Sequence, residues 1–92
     1  MGIVTRMEYE WDETKRLVNL TKHNLDFNIA KCVFENHDKI TVLSSYPFEE
    51  RWIDLANVQG RILVLVYTMR HAAVRVISLR PAKREERRLL HV

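Results

Sequence analysis

The sequence predicts an α+β fold: two N-terminal helices packed on an antiparallel sheet of about four strands, closed by a short C-terminal helix. Three observations lead there. Residues 12–35 hold two Asp-initiated segments with apolar residues at helical spacing. Residues 39–79 hold four runs rich in Val, Ile, Leu and Tyr, separated by turn-forming residues. Helices followed by strands, rather than alternating with them, place the helices on one face of a sheet. With two glycines and two prolines among 92 residues the loops must be short, and residues 1–92 read as one domain.

Taken in order, residues 1–6 read as a leader and residues 7–11 alternate as a short edge strand. Asp12 is a good N-cap, since its carboxylate accepts from free backbone N–H groups, and Glu13 suits the positive end of a helix running to about His23. Leu17, Val18 and Thr21 are expected to form its buried stripe, with Lys15, Asn19 and Lys22 on another face. Asn24 suits the left-handed position that ends a helix. Asp26 caps a second helix over residues 27–35, where Phe27, Ala30, Val33 and Phe34 share a face and Cys32 is expected to pack inside.

Strands follow over residues 39–44 and 49–55, the second placing Glu49 and Arg51 on one side and Glu50 on the other. A turn at Asn57-Val58-Gln59-Gly60 leads into the central hairpin. Its first strand, 62–67, is an unbroken apolar run, which predicts burial on both faces; the second, 74–79, stops at Pro81, which cannot donate to a ladder. Residues 82–90 form a short basic helix.

Composition narrows the function classes. The chain is 47% apolar and 29% charged, which argues for a packed globule rather than disorder. No apolar run approaches the ~20 residues of a membrane span and no signal-peptide centre is evident, so a cytoplasmic location is expected. The lone Cys32 allows no intrachain disulfide, and no zinc spacing is present. Residues 1–46 carry six basic and seven acidic side chains, residues 47–92 nine and five. The positive field therefore belongs to the half with the hairpin and favours an anionic partner, nucleic acid or acidic protein.

Within that half Arg70, Arg75 and Arg80 are more cations than a structural strand pair needs, and together they make a receptor for phosphate. Arg75 and Arg80 are five apart, so on a regular strand they point to opposite faces. Both reach one site only if Arg80 lies past the strand end or a bulge intervenes. Lys22-His23 sits at a helix C-terminus, where the dipole attracts cations and is expected to raise the imidazole pKa. Lys83, Arg84, Arg87 and Arg88 make a basic face that reads first as solvated surface, and otherwise as RNA-backbone contact or docking site for an acidic segment. Glu86 is placed to orient an arginine by a bidentate pair.

A specific set of residues then carries a family resemblance. Glu10-Trp11-Asp12-Glu13 with Lys15 and Asn19, Lys22-His23, Phe27, Ala30, Val33-Phe34, Glu49-Glu50-Arg51, Gly60-Arg61, Tyr67-Thr68-Met69-Arg70 and Arg75 through Ala82 with Glu86 resemble the BrnT family over about residues 7–88. The resemblance implies a RelE-like fold and a ribonuclease toxin of a type II toxin–antitoxin pair, cleaving RNA with neither metal nor cofactor. It also implies neutralisation by a BrnA-type antitoxin in a hetero-oligomer that represses its own promoter, DNA being met only through the antitoxin. The sequence departs from the family pattern at Asn24, Ala56 and Leu79, and at Ser45-Tyr46-Pro47-Phe48, which lacks the acidic and His residues often found there.

Metal-free RNA cleavage needs a base for the 2′-hydroxyl, cations for the phosphorane and a donor for the leaving 5′-oxygen. The expected catalytic set is Lys22, His23, Glu50, Arg70, Arg75 and Arg80, with Arg51, Lys83, Arg84 and Arg87 binding RNA. Which group is acid and which is base stays open, as does Glu49 against Glu50. The alternative reading is a non-catalytic module serving only in antitoxin binding and promoter co-repression.

Overall fold

The computed structural model describes residues 6–90; residues 1–5 of the expected leader and residues 91–92 lie outside them. The element order is β1 (Glu8–Trp11), α1 (Glu13–His23), a 3-10 turn (Phe27–Ile29) leading into α2 (Ala30–Phe34), β2 (Ile40–Leu43), β3 (Trp52–Val58), β4 (Arg61–Arg70), β5 (Ala73–Pro81) and α3 (Arg84–Arg87), which ends in a 3-10 turn (Arg88–Leu90).

The sheet has five strands in the order β1-β5-β4-β3-β2. Neighbours β2, β3, β4 and β5 pair antiparallel, as expected of the four runs. The expectation of a four-stranded antiparallel sheet is nevertheless corrected: β1 joins the edge parallel to β5, with Glu10 opposite Arg75, and makes the sheet mixed. The second helix is also shorter than expected, because Asp26 caps a 3-10 turn, accepting from Asn28 N at 3.2 Å, before α2 begins.

Local chemistry sets the ends of α1. Asp12 accepts from Lys15 N at 3.1 Å, and Asn24 closes the helix at φ +56°, its N–H donating to Leu20 O at 2.8 Å. The stripe that faces inward is another matter. Leu17 and Val18 are 50% and 60% exposed and Thr21 is exposed too, whereas Asn19 is buried. The reason is placement: α1 lies beside the edge of β5 beyond the end of β1. Asn19 there donates to Leu79 O at 2.8 Å and accepts from Leu79 N at 3.2 Å, continuing the ladder where β1 stops. Cys32, expected inside, is exposed.

One core lies on the helix side of the sheet, where Leu25, Phe27, Ala30 and Val33 meet Leu63, Leu65 and Tyr67 of β4 and Val74, Val76 and Leu79 of β5. A smaller cluster lies on the other face, where Ala82 and Leu90 cover Leu55, Ile62 and Val64. Strand β4 is thus buried on both sides from Ile62 to Leu65, which explains its continuous apolar run. Asp54, fully buried on the helix side, is held by Lys39 Nζ at 2.7 Å, Thr41 Oγ1 at 2.7 Å and the Tyr67 hydroxyl at 3.1 Å. Burial, and then that carboxylate, push the Tyr67 pKa above its usual value.

Candidate functional site

The β4–β5 register slips once: Val66 pairs with Ser78 but Tyr67 with Val76, leaving Ile77 as an extra residue. The inward residues of β5 accordingly run Val74, Val76, then Leu79. This bulge places Arg75 and Arg80 on the same face, the one opposite the helices, with Ser78 between them. Arg75 lies opposite Thr68, and Arg80 opposite Val64. Arg70, opposite Ala73, shares that face by its parity with Thr68 and is a diagonal neighbour of Arg75, ~7–8 Å away. Arg80 lies roughly 13 Å along the strand from Arg75, at four regular steps. The three arginines therefore form a track along β5 rather than one cleft.

Two of the three carry a carboxylate. Arg75 Nη1 lies 3.3 Å from Glu10 Oε1, and Arg80 makes a bidentate pair with Glu86, both contacts at 2.8 Å. Glu86 Oε1 also accepts from Lys83 N at 2.7 Å, so one carboxylate both caps α3 and holds Arg80. The Arg80 hydrogen bonds, helped by the Lys83 N–H, lower the Glu86 pKa to about 2, and Glu86 raises that of Arg80 in turn. Arg70 has no ion-pair partner among the described residues.

A groove of about 270 Å³ runs between α1 and β5, lined by Thr14, Lys15, Lys22, His23, Ile77 and Ser78 among others. His23 is half-buried there. Contrary to the expectation from the helix dipole, its pKa is lowered: burial is the main cause, then the charges of Lys22 and Arg80. Two nearby cations and lost hydration outweigh the carbonyl ends of α1, so the imidazole is biased toward the neutral form, the form that accepts a proton. His23 and Lys22 thus flank the Arg80 end of the track.

The remaining sequence-selected residues lie elsewhere. Glu49, Glu50 and Arg51 precede β3 instead of standing on it, because strand pairing begins at Trp52. Arg51 Nε bonds Glu49 at 2.8 Å and its guanidinium lies 3.6 Å from the Tyr46 ring centroid. The Glu50 side chain is exposed, while its carbonyl accepts from Thr68 Oγ1 at 2.6 Å, which anchors this loop beside the residue facing Arg75. Lys83, Arg84 and Arg87 are exposed around α3. Among the described residues no three His, Cys, Asp or Glu side chains gather in one place. Sequence reasoning did not single out Glu10, Asn19 or Asp54 for the roles they play, since each depends on a partner distant in the chain.

A small basic α+β protein with an elongated cationic face and an imidazole at one end is the class these features define. The chain belongs to the BrnT family: the family model described as ribonuclease toxin, BrnT, of type II toxin–antitoxin system matches residues 11–86. A toxin of such a system has an antitoxin protein as its partner. No curated protein matches the chain. No helix among the described residues is long and apolar enough to cross a membrane.

Proposed function

We propose that this chain is a cytoplasmic endoribonuclease toxin of RelE-like architecture that cleaves RNA without a metal ion and is silenced by a BrnA-type antitoxin. The observation that carries the proposal is the Ile77 bulge, which turns Arg75 and Arg80 to one face with His23 beside Arg80. An RNA backbone laid along β5 meets Arg70, Arg75 and Arg80 in sequence. His23 takes the proton of a 2′-hydroxyl, whose oxygen attacks the adjacent phosphorus. The guanidiniums of Arg75 and Arg80 stabilise the phosphorane charge. The bond to the 5′-oxygen breaks, and the Lys22 ammonium supplies the proton that oxygen takes up. The products are a cyclic phosphate and a free 5′-hydroxyl. Glu50, in its loop beside Thr68, is a carboxylate available to move protons, and Arg51, Lys83 and Arg84 contact backbone phosphates further out.

One observation favours the second reading, a binding module without chemistry: Glu10 and Glu86 already neutralise Arg75 and Arg80. In that reading the cationic face serves only antitoxin binding and co-repression. Purified protein incubated with end-labelled RNA in excess chelator separates the two. The catalytic reading requires cleavage with cyclic-phosphate ends, reduced about 10²–10³-fold in Arg75→Ala. Intact RNA, together with no growth arrest on expression, would leave only the binding module.

A further inference from the structure

A second hollow, larger than the α1–β5 groove, lies at the other side of Arg80, between the β3–β4 turn and α3, and is lined by Asn57, Gly60, Arg61, Ile62, Pro81, Ala82 and Arg87. Its volume is about 460 Å³, within the range of small-molecule sites and more than a phosphate alone needs.

Three features give it a chemistry. First, its cations are uncommitted. Where Arg51, Arg75 and Arg80 each hold a carboxylate, neither Arg61 nor Arg87 has one within ion-pair distance among the described residues. Arg87 Nη1 donates to Ala82 O at 3.2 Å, which steadies the arm at the rim and leaves other N–H groups of the fork free. Second, the exposed ring of Pro81, with the edges of the otherwise buried Ile62 and Ala82, supplies an apolar wall between those arginines for the flat face of a base. Asn57 Oδ1 accepts from Gly60 N at 2.8 Å, so the amide N–H₂ is the end left for a ligand acceptor. Gln59 and Gly60, at φ +53° and +89°, turn the chain within two residues and set Arg61 at the rim.

Third, the pocket is in line with the track. Ala82 N bonds Ile62 O at 2.9 Å, extending the β4–β5 ladder one step past the Leu63–Pro81 pair and two past Val64–Arg80. The hollow is therefore the next stop along β5 for any extended chain whose phosphate sits at Arg80.

We propose that this pocket binds one nucleotide of RNA, the one adjoining the phosphate held at Arg80, with Arg61 and Arg87 on its phosphate and Ile62, Pro81 and Ala82 against its base. The assignment to RNA rests on the ribonuclease reading above. An acidic protein segment would need the cations but not the apolar wall.

The test uses the full chain in low salt, titrated with uridine 5′-monophosphate and separately with inorganic phosphate while backbone amide resonances are followed by NMR. The nucleotide should shift Gly60, Arg61, Ile62 and Ala82, saturating at roughly tenfold lower concentration than phosphate. Arg61→Ala with Arg87→Ala should abolish those shifts and leave the rest of the spectrum in place, and Arg61→Lys should keep part of the response. On an RNA decamer, Arg61→Ala should raise KM roughly tenfold with kcat within about twofold.

Shifts confined to residues around His23 and Arg75, phosphate binding as tightly as nucleotide, an unchanged KM, or a loss of antitoxin binding alone would each overturn the proposal. The two readings fail separately. Nucleotide shifts at Gly60 without RNA cleavage would keep the pocket and remove the nuclease, whereas cleavage without those shifts would do the reverse.

Discussion

The side-chain amide of Asn19 stands in for a missing strand by pairing with both backbone groups of Leu79, sixty residues further on. Its Nδ2 also donates to Leu25 O at 3.1 Å, so one buried side chain ties α1, the loop after it and the edge of β5 together. The Arg80 end of the cationic track is positioned by this contact, because Leu79 immediately precedes Arg80 and His23 lies one turn beyond Asn19.

Asn19→Ala should therefore destabilise the protein by roughly 2–4 kcal/mol, since it leaves the buried N–H and C=O of Leu79 without partners. Asn19→Asp should be no better, as a carboxylate cannot donate to Leu79 O or Leu25 O. Urea unfolding with unchanged slope measures the loss. A cost below ~0.5 kcal/mol for Asn19→Ala would mean the ladder does not depend on the amide.

Lys39→Met should cost about 3 kcal/mol, because it strands the fully buried Asp54 carboxylate with only the Thr41 and Tyr67 hydroxyls as donors. Adding Asp54→Asn to that variant should recover part of the loss, since no buried charge then remains. Additive effects in this double-mutant cycle would show that the pair is not coupled.

How much of this was legible beforehand depends on the range of the interaction. Asp12, Asn24 and Asp26 act within four residues of themselves, and all three end or begin elements where their chemistry says they should. The apolar run of β4 announces burial on both faces without reference to any partner. The inward face of α1 was misread because Leu17 and Val18 look like core, while the helix docks sideways through a polar residue. The bulge at Ile77 leaves no local mark: no glycine, and a β-branched side chain that suits a regular strand. Glu10 and Arg75 are 65 positions apart, and only the parallel pairing of β1 brings them together. Local rules thus located the cations, and long-range register decided which of them share a face.

The β4–β5 turn carries strain that substitution should relieve. His71 and Ala72 sit at φ +51° and +64°, left-handed backbone that costs side-chain-bearing residues on the order of 1 kcal/mol. His71→Asn with Ala72→Gly should stabilise the protein by about 1 kcal/mol, raising Tm by about 4–8 °C. An unchanged or lower Tm would show that the turn is not strained.

Acid should act through Glu86. Its pKa is lowered from 4.5 to about 2, first by the Arg80 hydrogen bonds, so the ionised form is favoured in the folded state. The stabilisation is fully present above about pH 4.5 and is lost as pH falls toward 2. Glu86→Gln should cost about 1–3 kcal/mol at pH 7 and flatten the fall in stability across that window. A variant whose acid unfolding curve parallels that of the parent would contradict this linkage.

The lowered pKa of His23 makes the last prediction, and its sign is opposite to that of a helix-end histidine governed by the dipole. Burial first, then Lys22 and Arg80, penalise the imidazolium in the folded state. The unfolded chain therefore binds the proton more readily, and stability should fall as pH drops from about 6.5 through the folded pKa. If His23 is the base, RNA cleavage should decline over the same acid limb, following the loss of neutral imidazole. Lys22→Gln removes one of the two cations and should move that limb toward higher pH; if Lys22 is the proton donor, the plateau should fall as well. Following the His23 Cε1–H resonance through the titration gives the pKa independently of activity. A midpoint at or above 6.5, or one that Lys22→Gln leaves in place, would mean that the cations around the groove do not set the protonation state of His23.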